Sequence, residues 1–111
     1  MANVYDMLDL LDRLQAQGRP YYEFLNRGSL SVGIYHLAPG EPDQQQPHTE
    51  DEIYYVLSGE GAIDVDGERT AVRPGSVVFV ARHVPHHFLD YEEGLTLLVV
   101  FAPARGSAAD R

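Results

Sequence analysis

Between Val4 and Gln17 the apolar residues Val4, Met7, Leu8, Leu11 and Leu14 recur every three or four positions, the spacing that lines one face of an α-helix. Asn3 suits the N-cap, and Gly18 with Pro20 supplies a stop. One amphipathic helix is therefore predicted over 4–17, its stripe packing on the rest of the chain. After Pro20 the texture changes. "YYEFLN" and "SLSVGIYHL", parted by "RG", alternate in the manner of a hairpin. "APGEPDQQQP" crowds prolines and a glycine into a stretch that no regular element tolerates, so it is expected to be a loop. Six further β-rich runs follow, "EIYYVLS", "AIDV", "ERTAV", "SVVFV", "HHFLDY" and "LTLLVVFA", with turn residues between them. Short strands at such intervals predict an all-β antiparallel sandwich or barrel over about 20–103. Asp66-Gly67 is the strongest hairpin mark, because a type I′ turn needs positive φ at both central positions. Residues 104–111 have little to bury and are expected to fray. The pattern makes 1–111 a single domain.

Composition narrows the function more than the fold. The 111 residues include 44% hydrophobic ones, ordinary for a globular protein, and no apolar run reaches a membrane span. "MANVYDMLDLLDRL" interleaves acids with its apolar residues, unlike a secretory signal, so a cytoplasmic location is expected. Absence of cysteine excludes disulfides, thiolate nucleophiles and cysteine-bound metals. Absence of lysine excludes Schiff-base chemistry. A net charge of -9 with dispersed arginines argues against nucleic acid and anionic membranes as partners.

What remains is imidazole and carboxylate chemistry. In an extended segment Gln46, His48, Glu50, Glu52 and then Tyr54 share one face. His83, His86 and His87 cluster later, where His86 and His87 must point to opposite sides of a strand. Two neutral imidazoles and one carboxylate from different strands make a ligand set for Zn, Fe, Mn or Ni; His48, Glu52 and His86 are the candidates. Tyr54 is the candidate pocket-lining residue. His83 sits at a turn, and the parity of His36 is lost through the proline loop. Arg69, Arg73 and Arg82 are expected on solvated surface.

The spacing of these residues resembles that of small single-domain cupins, whose double-stranded β-helix carries two motifs. The first runs glycine, five residues, histidine, one residue, histidine, three residues, glutamate, six residues, glycine. Here "GEPDQQQPHTEDEIYYVLSG" supplies Gly40, His48, Glu52 and Gly59, with Gln46 where the first histidine belongs. In the second, "GSVVFVARHVPHHFLD" keeps Gly75 and His86, while Ala81, His83 and Asp90 stand for proline, glycine and asparagine. The resemblance spans about 30–102. It implies a jelly-roll barrel with one short N-terminal helix and a divalent transition metal on His48, Glu52 and His86. Gln46 would be a weak fourth ligand through its amide oxygen, or would hold a metal-bound water.

The resemblance implies a metal-binding barrel acting on a small organic molecule, with non-haem dioxygenase chemistry leading. The alternatives are a metal-dependent isomerase or lyase and a non-catalytic ligand-binding module. A homodimer is expected, formed on apolar surface left by the helix and first hairpin. If Gln46 faces the metal, a histidine there should tighten binding.

Overall fold

A computed structural model describes residues 3–107. It holds one helix, α1 (Met7–Gln17), followed by eight strands. These are β1 (Tyr21–Asn26), β2 (Ser31–Leu37), β3 (Asp51–Ser58), β4 (Gly61–Val65), β5 (Glu68–Val72), β6 (Val77–Val80), β7 (His86–Leu89) and β8 (Leu95–Ala102). They form an antiparallel five-stranded sheet in the order β1-β2-β8-β3-β6 and a three-stranded sheet in the order β5-β4-β7. The two sheets close as a jelly roll, the fold class the sequence predicts. Asp66 and Gly67, with φ of 51° and 87°, make the β4–β5 turn in the conformation their type favours. Among the described residues no helix is long and apolar enough to cross a membrane.

Period-two patterning decides the barrel interior. Along β3 the residues Glu52, Tyr54 and Val56 are buried while Asp51, Ile53 and Tyr55 are exposed. Tyr54 and Val56 join Ile63, Val80, Phe88, Leu95, Leu97, Val99 and Phe101 in the main core. The outer face of the large sheet carries a second, smaller core in which Leu10 and Leu14 of α1 press on Ile34, with Tyr22, Phe24, Leu57 and Leu98 around them.

The helix differs in two respects from the predicted one. It begins at Met7, and its N-cap is Asp6, whose carboxylate accepts from the Asp9 amide at 3.2 Å; Asn3 and Val4 precede it. Leu10, rather than Leu8, is on the buried face, and Leu8 is 72% exposed. Starting the count at an extended, nonhelical segment rotated the assigned stripe.

A further expectation changes. Residues 104–107 are tied down rather than frayed: the Ala104 amide donates to Gly28 O (3.0 Å), Arg105 N to Ser31 Oγ (2.9 Å) and Gly106 N to Glu50 Oε1 (2.9 Å). Ala104 is buried. The remainder of the expected tail, 108–111, lies outside the described residues. Uncovered apolar surface remains at the helix, where Val4, Tyr5 and Leu8 are exposed, and a second block lies on the β3–β6 half, made of Ile53, Tyr55, Val77 and Phe79. They form cross-strand pairs, Ile53 with Phe79 and Tyr55 with Val77.

Replacing Asp6 with alanine should cost about 1 kcal/mol of stability in urea unfolding, the usual loss for an N-cap, while Asn3→Ala should leave the midpoint unchanged.

Candidate metal centre and its cavity

Glu52 is fixed by its place on β3, between β8 and β6, with partners Phe101 and Val80. Its parity turns the carboxylate into the barrel. His86 opens β7 in the opposite sheet, and its Nδ1 lies 2.8 Å from the Val84 carbonyl. A proton on Nδ1 for that bond leaves the Nε2 lone pair of the neutral ring facing the barrel interior. His48 ends the proline loop just before β3. Its carbonyl accepts from the His83 amide at 2.7 Å, so the second motif's turn holds the first motif's imidazole. His83 has φ of 65°, the left-handed conformation for which the family uses glycine. His48, Glu52 and His86 thus meet, each offering one ligand atom, all within 4.8 Å of one another.

Glu52 and His86 side chains are each 1% exposed, and Glu52 Oε1 lies 3.1 Å from His86 Nε2. In the neutral ring tautomer set by Val84, that oxygen has no aligned donor among the described residues. With Nδ1 protonated, the two facing atoms are both lone-pair bearers, an arrangement that calls for a cation between them. The donor set therefore fits a divalent transition metal. A proton on His86 answers the same need less completely. Burial resists charging His86, but Glu52, the Val84 carbonyl and Asp43 outweigh it and move its pKa above the ordinary imidazole range. His48 moves the other way, chiefly through burial, with the charges of His86 and Arg105 adding to the effect against Glu52 and Glu50.

The surrounding network brings Gln45 to the cluster and leaves Gln46 outside it. Asp43 gathers the loop: its carboxylate accepts from Tyr35 Oη (2.9 Å), Phe88 N (2.8 Å), Gln45 N (3.3 Å) and Gln45 Nε2 (2.7 Å). Captured this way, Gln45 turns inward. Its Oε1 accepts from Tyr54 Oη at 2.9 Å and lies 3.3 Å from His48 Nε2. Gln46 is exposed and borders an open cleft with Pro85 and His87. The loop is not a regular strand, so parity counted backward from Glu52 fails before His48. For the same reason Glu50 leaves the cluster: though buried, it accepts from Gly106 N and from Thr49 Oγ1.

Tyr54 is fully buried, and its hydroxyl lies 3.1 Å from His86 Nε2. Burial, reinforced by the Glu52 charge, raises its pKa well above that of an ordinary phenol, so it stays protonated. His48, Glu52 and Tyr54 border a cavity of about 380 Å³ whose other walls include Tyr21, Tyr35, Leu37, Val99, Phe101 and Arg105. His87 is exposed, and His36 is on the outer face, its Nδ1 3.1 Å from Thr96 Oγ1. Arg69 pairs with Asp90 on the smaller sheet. Sequence reading missed Asp43, Gln45, Tyr21 and Arg105. The composition of "PDQQQP" signalled a polar loop, but nothing in it says which glutamine turns inward.

A cupin domain model matches residues 33–101, which hold all three clustered side chains. The chain belongs to the cupin family. Among curated proteins, this cupin is 45% identical to an uncharacterised protein of Streptomyces coelicolor, over 84% of this chain and 92% of that one. It is 29% identical to dimethylsulfoniopropionate lyase DddW of Ruegeria pomeroyi, over 71% of this chain and 52% of the lyase; the cupin thus spans about half of that enzyme. Among solved structures, an RmlC-like cupin from Shewanella frigidimarina superposes with a TM-score of 0.71 at 26% identity, covering 78% of this chain and 77% of the other.

In metal titrations against a chromophoric chelator, Gln45→Ala should weaken divalent-metal affinity by about 10-fold or more, the usual effect of losing an orienting partner. Gln46→His should leave it unchanged; tightening would place position 46 at the centre after all.

Proposed function

We propose that this cupin binds a divalent transition metal through His48, Glu52 and His86 and acts on a small organic molecule in the adjoining cavity. The observation that carries the proposal is the buried Glu52 Oε1, without an aligned donor and 3.1 Å from an imidazole nitrogen. Zn, Fe, Mn and Ni all suit the ligand set. When bound, the metal supplies a Lewis acid that polarises an oxygen of the ligand.

The chain's own residues then divide the remaining work. Val84 fixes the His86 ring through its carbonyl, and Gln45 holds the Tyr54 hydroxyl at 2.9 Å beside the cluster. The phenol is kept protonated by burial and gives its one proton to Gln45, so Tyr54 acts as a fixed neutral wall beside the cluster. Tyr35, Leu37, Val99 and Phe101 supply apolar walls that limit water at the same place. The similarity to a lyase supports lyase or isomerase chemistry ahead of dioxygenation.

Protein purified without chelators should carry close to one equivalent of transition metal, and the His48→Ala/His86→Ala double variant should carry none by mass spectrometry of the metals. Full retention in that variant would sink the ligand assignment. The lyase or isomerase reading expects no oxygen uptake with catechols, flavonols or diketones; uptake at an electrode would restore dioxygenation.

The proposal includes a homodimer. The exposed block of Ile53, Tyr55, Val77 and Phe79 supports it, since β6 is an edge strand and a second copy of the same face covers the block by two-fold pairing. Light scattering should give twice the 12.4 kDa chain mass, and Val77→Asp/Phe79→Asp should give the single-chain mass. A wild-type monomer overturns it.

A further inference from the structure

The metal reading leaves part of the cavity lining without a role. There the side chain of Arg105 lies over the ring of Tyr21, its guanidinium carbon 5.0 Å from the centroid, within cation–π range. Arg105 is the one arginine among the residues lining this cavity. Among the described residues it makes no ion pair. Its backbone is fixed by the bond from its amide to Ser31 Oγ and by those of its neighbours to Gly28 and Glu50. The guanidinium is thus delivered to the cavity by an anchored segment.

Tyr21 is built for a particular place as well. Its phenol lies over Gly33, where a Cβ would come within 2.4 Å of the ring carbon and hydroxyl. Only glycine leaves that room. Tyr35 and Phe101 meet the ring edge-on at 6.4 and 6.5 Å. The hydroxyl so placed is buried and has no hydrogen-bond partner among the described residues. Burial raises its pKa far above the ordinary phenol value, so it is a donor waiting for an acceptor.

One planar cation and one neutral donor, in the lining of a cavity that also contains Glu41 and Glu52 in a protein of charge -9, favour a singly charged planar anion over a phosphate dianion. We propose that Arg105 and Tyr21 form a carboxylate-binding subsite, so that the molecule this cupin takes is a small monocarboxylate. Its carboxylate lies on the guanidinium, its apolar part rests against Leu37, Val99 and Phe101, and its reacting end points toward His48 and Glu52. That last placement rests on the metal reading; the subsite itself does not.

The test uses propanoate, hexanoate and phenylacetate, each beside its neutral amide, titrated into the full chain with and without one equivalent of Zn and followed by NMR. At least one carboxylate should bind about 10-fold more tightly than its amide. Arg105→Gln should abolish that preference, Arg105→Lys should keep part of it, and Tyr21→Phe should reduce it about threefold with the Zn stoichiometry unchanged. Arg105 is exposed, so these variants should fold, as checked by their urea midpoints. A preference that survives Arg105→Gln overturns the subsite, as does a wild-type protein that prefers no carboxylate or binds none. Zn binding without the preference would defeat this inference alone. An Arg105-dependent preference in metal-free protein that takes up no Zn would defeat the metal reading alone.

Discussion

A carboxylate removed from water must be answered by positive charge or by donors, and Glu52 stands in the barrel with one oxygen that has neither in good alignment. Strand pairing on both sides of β3 prevents the side chain from escaping to solvent, so the rest of the site is arranged around it. His86 approaches from the facing sheet with its outer nitrogen committed to a backbone carbonyl. His48 comes from a loop that would otherwise be free to wander. The two imidazoles shift in opposite directions: burial lowers His48, whereas for His86 the Glu52 carboxylate and the Val84 carbonyl outweigh burial.

That loop is fastened by Asp43. One carboxylate ties together a tyrosine from β2, the amide of Phe88 in β7 and both ends of Gln45. Tyr91 adds a second fastening by donating to the Glu41 carbonyl. Both sheets of the jelly roll therefore hold a segment with no regular structure of its own. The precision of the centre comes from this crosslinking and not from secondary structure at His48.

Local pattern was enough where pattern controls the outcome. The alternation in "DEIYYVLS" faces Glu52, Tyr54 and Val56 inward, and Asp66-Gly67 marks its turn. The motif spacings bring His48, Glu52 and His86 to the same place although they come from a loop and two different sheets. Reading failed where long-range contacts decide. Gln45 and Gln46 are chemically identical, and only Asp43 distinguishes them. Leu10 displaced Leu8 from the helix stripe because the helix begins at Asp6 rather than Asn3. "ARGSAADR" carries no sign of burial, yet its first residues find acceptors at Gly28, Ser31 and Glu50, positions far away in sequence.

The anchoring of that segment separates two properties that most pockets mix. The three clustered side chains fall inside the stretch that matches the cupin domain, 33–101, while Tyr21 precedes it and Arg105 follows it. On the proposed reading, the metal ligands belong to the shared barrel, while the cation and the unpartnered phenol that would choose the ligand belong to its two flanks. Sequence drift in the flanks can exchange one guest for another without disturbing the centre, so two proteins alike throughout the barrel need not share a substrate.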